Sequence, residues 1–265
     1  MTGVGALRLS GGALGVDLRG ARDAATPILF LHGVGSDKTV WAPQLDHFGR
    51  QRLAIAIDYP GYGESALRPG ATRDDFAAAA VEALDALDVE RAIVCGLSLG
   101  GVIGIAMHHL APGRCAALVL ADSFASHPEG MAIHNRSVDA SHAMPMRQIA
   151  EARAPLLLGA AASEALRDDV IETMSRIDPE AYRLGSAAVW LADQRERAAA
   201  IAVPTLVLVG DEDRITPPAL SRELAALVEP AKVELIEGAG HLANIEQAGA
   251  FNRAVDRFLA GIEHS

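Results

Sequence analysis

Short apolar runs recur along this chain, and each stops abruptly at a glycine or a polar residue. Ile28-Leu29-Phe30-Leu31 ends at His32-Gly33, Leu53-Ala54-Ile55-Ala56-Ile57 at Asp58, Ile93-Val94-Cys95 at Gly96, and Ala116-Ala117-Leu118-Val119-Leu120-Ala121 at Asp122-Ser123. Two further strand-like stretches, 204–209 and 232–236, run into Gly210-Asp211 and Glu237-Gly238. The apolar runs are too short for helices and too continuous for strands with one wet face. They predict strands buried on both sides. Helical patterns separate them, over residues 39–48, from Thr72 or Asp74 to Leu87, over 102–110, 217–228 and 244–262. Strands alternating with helices predict a mostly parallel sheet clad by helices on both faces. Near the N-terminus, Leu7-Arg8-Leu9 and Leu14-Gly15-Val16-Asp17-Leu18 flank Ser10-Gly11-Gly12, a hairpin signature. The expected architecture is therefore α/β, with an eight-stranded sheet.

The rhythm breaks over residues 124–200, which hold no strand-like run. Helical patterns such as 164–177 and breaks at Pro145, Pro155 and Pro179 predict three or four helices there. They would form a cap inserted after the sixth strand and lying over the C-terminal edge of the sheet. Residues 1–123 and 201–265 would then form one core domain. Half of the 265 residues are hydrophobic, enough to fill a large core without staples. Cys95 and Cys115 sit in or beside apolar runs and are expected as reduced, buried thiols. The formal charge of −11 argues against nucleic acid and anionic membranes as partners. No stretch approaches the roughly 20 apolar residues of a membrane span. The chain reads as cytoplasmic, either monomer or homodimer.

In a parallel sheet, ligands bind where the strands end. One strand end carries Gly96-Leu97-Ser98-Leu99-Gly100, the G-x-S-x-G pattern of a nucleophile elbow. The pattern alone is weak in a glycine-rich chain, but other strand ends supply its partners. Gly210-Asp211-Glu212-Asp213 and Gly238-Ala239-Gly240-His241 bring a carboxylate and an imidazole, in the order Ser, Asp, His. A serine hydroxyl needs a base to take its proton as it attacks, and a histidine suits that task. A buried carboxylate fixes the imidazole tautomer. The expected catalytic set is Ser98, His241 and Asp213, with Asp211 as the alternative acid and Glu212 in solvent. Backbone N–H groups of Leu99 and Val34 are expected to hold an oxyanion. Phe124, Trp190 and Leu242 are expected to line the substrate pocket, or to pack in the core. His32 is expected to order the oxyanion loop, Asp58 to hold the Pro60-Gly61 turn, and Glu246 to lie in the first turn of the last helix. His127, His134 and His142 lack the tight spacing of metal ligands.

These motifs together resemble the α/β-hydrolase superfamily. Within it, Ser98-Leu99-Gly100-Gly101, Leu118-Val119-Leu120-Ala121-Asp122-Ser123 and His241-Leu242-Ala243-Asn244-Ile245-Glu246-Gln247 are most similar to the 3-oxoadipate enol-lactonases. The resemblance implies a serine hydrolase without cofactor or metal, opening a lactone or small ester. Cleavage of a carbon–carbon bond in a ring-fission product, perhydrolysis, and a non-enzymatic ligand receptor are the alternatives. The related carbon–carbon hydrolases usually carry Trp where this chain has Leu242.

Overall fold

The computed structural model describes residues 3–9, 11–22, 25–229 and 231–263. Ser10 of the expected hairpin turn lies outside them. The strands are β1 Gly3–Leu9, β2 Gly12–Arg19, β3 Ile28–Leu31, β4 Ala54–Ile57, β5 Ala92–Leu97, β6 Cys115–Ala121, β7 Thr205–Gly210 and β8 Ala231–Ile236. Among the described residues they form one eight-stranded sheet in the order β1-β2-β4-β3-β5-β6-β7-β8. β1 and β2 pair antiparallel, β2 runs antiparallel to β4, and the remaining pairs are parallel. The α/β architecture expected from the sequence is the one observed.

The two-residue period of the strands sorts their side chains into two cores. Leu29, Leu31 and Val94 face a layer that includes Phe76, Leu84, Val102 and Leu224. Ile28, Phe30, Ile93 and Cys95 face the other, with Trp41, Phe48, Phe251 and Val255. The helices are α1 Ala42–Phe48, α2 Arg73–Ala86, α3 Leu99–Leu110, α4 Gly130–Ala143, α5 Met146–Leu157, α6 Glu164–Ser175, α7 Pro179–Trp190, α8 Arg195–Ala199, α9 Pro218–Leu227, α10 Ala243–Glu246 and α11 Ala248–Glu263. Of these, the five helices α4 to α8 lie between β6 and β7, where three or four were expected; the extra one is the short α8.

Three local expectations are corrected. The helix expected over 39–48 is a 3-10 turn, Lys38–Trp41, followed by α1 with Pro43 in its first turn. Pro155 does not break its helix. It sits in the last turn of α5, where a missing N–H costs one bond, and Leu158 N–H still closes on Ala154 O at 3.2 Å. The closing helix is split at Gln247 into α10 and α11. In a continuous helix Asn244 O would accept from residue 248; here it accepts from Gln44 Nε2 at 2.9 Å instead.

The turn between β5 and α3 is tightly packed. Ser98 has φ 55° and ψ −114°, a conformation that costs a non-glycine residue of order 1–3 kcal/mol. Its neighbours explain why it is tolerated. A Cβ on Gly96 would stand 2.1 Å from Gly100 O, and one on Gly100 would stand 2.0 Å from Leu31 O. Ser98 N–H donates to Ala121 O at 2.8 Å, and Ser123 Oγ donates to Ser98 O at 2.9 Å. Further along α3, a Cβ on Gly104 would meet Leu120 Cδ2 at 3.5 Å and Val94 Cγ1 at 3.7 Å, both ordinary van der Waals contacts. Gly100→Ala is therefore expected to cost about 3 kcal/mol or more. Gly104→Ala should be neutral or stabilise by up to about 1 kcal/mol. Urea denaturation of the two variants measures the contrast.

Candidate active site

Ser98 stands at the N-terminus of α3, buried, and its Oγ has no hydrogen-bond partner among the described residues. It lines a cavity of about 320 Å³ together with Val34, Trp190, His241 and Leu242. The apolar wall is completed by Val40, Leu157, Val170 and Ile245.

His241 follows β8 and is held from behind. Its Nδ1 lies 2.9 Å from Asp213 Oδ2, with both side chains almost fully buried. Asp213 is fixed by further donors: Ile215 N–H at 2.8 Å and Thr216 N–H at 2.9 Å reach Oδ1, and Thr216 Oγ1 lies 2.6 Å from Oδ2. Burial works against the Asp213 charge, but the His241 imidazole and the Thr216 donors outweigh it and hold the pKa down to about 2. Asp213 is therefore ionised and can only accept, so His241 Nδ1 carries the proton and Nε2 is left with its lone pair.

The other acids at this strand end separate by environment. Asp211 is exposed and accepts from Gly238 N–H at 2.8 Å, which holds a turn. Glu212, expected in solvent, is half-buried and accepts from Ala160 N–H at 2.7 Å, tying the α5–α6 loop to the sheet. Glu246 does the same from α10: its carboxylate accepts from Gly159 N–H at 2.6 Å and Gly240 N–H at 3.0 Å.

The loop after β3 is positioned by a buried network. His32 Nε2 accepts from Tyr59 N–H at 3.3 Å, so Nδ1 is protonated and donates to Gly33 O at 2.8 Å. Burial lowers the His32 pKa, which keeps the ring neutral. Asp58 accepts from Lys38 N–H at 2.8 Å and from Lys38 Nζ at 2.7 Å, and also from Glu64 N–H at 3.0 Å. Burial opposes the Lys38 charge, but bonds to Asp58 and Glu64 prevail and raise its pKa. The N–H groups of Val34 and Leu99 make no hydrogen bond among the described residues. Leu99 begins α3, so its N–H also lies at the positive end of a helix.

Trp190 and Leu242 line the cavity, and Phe124 does not. It is fully buried and stacks behind Trp190, with ring centroids 5.7 Å apart, so it supports the wall without forming it. Sequence reasoning missed Thr216, Lys38 and Asp122. Asp122 is fully buried, accepts from Gly210 N–H at 2.8 Å, and has a second oxygen with no partner among the described residues. Burial first, and the nearby Asp213 second, push its pKa well above the ordinary carboxylate range. A strand-end aspartate in an otherwise apolar run was the available signal. His127 sits edge-on to Trp190 with Nε2 3.4 Å from Ile215 O, and His134 pairs with Ser186 Oγ at 3.1 Å.

Compared with known proteins, residues 28–254 match the model of the α/β hydrolase family. The 3-oxoadipate enol-lactonase 1 of Acinetobacter baylyi is 26% identical over 255 residues, spanning 96% of this chain and 95% of the relative. A crystal structure of the enol-lactonase from Burkholderia xenovorans LB400 superposes with a TM-score of 0.90 at 28% identity, covering 97% of this chain and 100% of that one. A thermophilic esterase from Thermogutta terrifontis gives 0.88 at 25% identity, with 98% and 99% covered.

The Asp213 pKa has a consequence for stability. An unfolded aspartate titrates near 3.9, and the folded one near about 2. A depressed folded pKa stabilises the native state above the unfolded value, and that contribution is lost as pH falls through the folded one. Wild type should therefore shed about 2 kcal/mol from this group between about pH 4 and pH 2. Asp213→Asn should lose correspondingly less over that range, as read from urea midpoints.

Proposed function

The chain belongs to the α/β hydrolase family, and on that footing we propose that it is a serine hydrolase that opens a lactone or cleaves a carboxylic ester. The observation that carries this reading is the buried 2.9 Å contact between His241 and Asp213, facing the same cavity as the unpartnered Ser98 hydroxyl. Ser98 Oγ attacks the carbonyl carbon while His241 Nε2 takes its proton. Asp213 keeps the imidazole in the correct tautomer and stabilises the imidazolium. The N–H groups of Leu99 and Val34 receive the oxyanion, each typically worth a factor of roughly 100–1000 in rate. Collapse of the tetrahedral intermediate breaks the carbon–oxygen bond, and His241 returns the proton to the leaving oxygen. In a lactone that oxygen stays tethered to the acyl chain. Water, deprotonated by His241, then releases the acid and restores Ser98. No cofactor or metal is needed.

Residues 124–200 act as the cap in this reading, supplying Leu157, Val170 and Trp190 to the cavity wall. The cavity of about 320 Å³ suits a small substrate, with Arg153, Asp169, Glu172 and Arg176 adding charged groups to its apolar wall. The enol-lactonase relatives favour a lactone.

Ser98→Ala is expected to reduce turnover of p-nitrophenyl acetate and of small lactones by at least about 10⁴-fold. Asp213→Asn should lower kcat by about 10⁴-fold through the wrong imidazole tautomer. A fluorophosphonate should label wild type and not Ser98→Ala. Equal labelling of the two, or unchanged turnover in Ser98→Ala, overturns the assignment.

A further inference from the structure

A second cavity, of about 750 Å³, adjoins the first between α4, α5, α9 and the segments carrying His127 and Ile215. Among the described residues, only Trp190 and Arg153 line both cavities. The wall of the second is apolar, with Ile133, Met144, Ile149, Leu156 and Leu220. Met144 and Leu156 are exposed there.

Three arginines, Arg136, Arg153 and Arg214, line this cavity with the carboxylates Glu129 and Glu223. Acidic residues outnumber basic ones 34 to 23 in the chain, so acid partners are abundant. Arg68, Arg114, Arg147 and Arg197 each have one. No ion pair or hydrogen bond engages Arg136, Arg153 or Arg214 among the described residues, even with two glutamates on the same cavity. Arg136 and Arg214 are exposed at the rim. Arg153 is half-buried and lines both cavities. A carboxylate is the group whose geometry matches a guanidinium fork.

We propose that the second cavity is a binding site for a medium-chain carboxylic acid. The chain lies along the apolar wall, and the carboxylate sits on Arg153 at the boundary with the first cavity. A neutral lipid would fill the wall but leave the three arginines without a counter-charge. The site shares Arg153 and Trp190 with the Ser98 cavity but contains neither Ser98 nor His241.

The test is titration of the full chain with 11-(dansylamino)undecanoic acid, followed by displacement. Saturable binding at one site per chain is expected, with displacement by decanoate at least tenfold better than by methyl decanoate. Arg153→Met should weaken decanoate at least tenfold and leave methyl decanoate unchanged. Ala140→Trp, which fills the cavity from α4, should abolish probe binding while p-nitrophenyl acetate hydrolysis stays within about twofold. The proposal is overturned if there is no saturable binding, if decanoate and its methyl ester displace equally, or if Ala140→Trp leaves probe binding intact. Loss of binding and hydrolysis together in Ala140→Trp, with an unchanged circular dichroism spectrum, would place the probe in the Ser98 cavity and equally overturn it.

Discussion

The first turn of α3 runs closer to the backbone of β3 and β5 than any side chain would allow. That contact needs hydrogen in place of Cβ at Gly96 and Gly100, and it is what lets a serine stand between them at a positive φ. The strain at Ser98 is of order 1–3 kcal/mol, a cost that the sheet on either side must over-determine. β5 is central, paired to β3 on one side and β6 on the other, and its strand residues are all buried. Relaxing the turn would pull apart the layers that β5 organises. The same turn leaves the Leu99 N–H, at the start of α3, without a partner among the described residues.

The helices between β6 and β7 are tied to the loops bearing the proposed acid and base. His241 N–H donates to Leu157 O at 2.8 Å, and Glu246 and Glu212 accept from the amides of Gly159 and Ala160. Gly240 and Gly159 pack so closely that a Cβ on Gly240 would stand 2.5 Å from Gly159 N. The end of α5 and the His241 loop therefore move as one piece. This coupling sets the shape of both cavities, because Leu157, Arg153 and Leu156 all lie on that last stretch of α5.

Four buried or half-buried carboxylates around the strand ends meet the cost of burial in different ways. Asp58 is neutralised by Lys38, an ion pair whose removal at one end only would leave a charge stranded at a cost of roughly 3–5 kcal/mol. Asp213 keeps its charge through His241 and Thr216. Glu246 leans on backbone amides, which offset only part of its burial, so its pKa is raised. Asp122 has no cation beside it among the described residues, and burial, with the nearby Asp213, pushes its pKa well above the ordinary carboxylate range.

The architecture was legible in the sequence because burial on two faces leaves a mark that local pattern can carry. Ile28 to Leu31 and Ala116 to Ala121 have no polar position to spare, and such runs fit only interior parallel strands. The elbow was legible for the same reason: glycine is required wherever backbone meets backbone, and the spacing around Ser98 records that. Helix ends were less legible, since Gln44 takes the Asn244 carbonyl from 200 residues away and splits the last helix. The sequence favoured Asp213 over Asp211 and put Glu212 in solvent; the fold sets Asp213 2.9 Å from His241 and brings Glu212 to the Ala160 amide. Phe124 and Trp190 are both large and apolar, and which one faces the cavity depends on the stacking between them. Periodicity determined the sheet and the places where chemistry could collect. Direction, partner and charge state were decided by the tertiary structure, because they depend on desolvation and on donors brought in from distant parts of the chain.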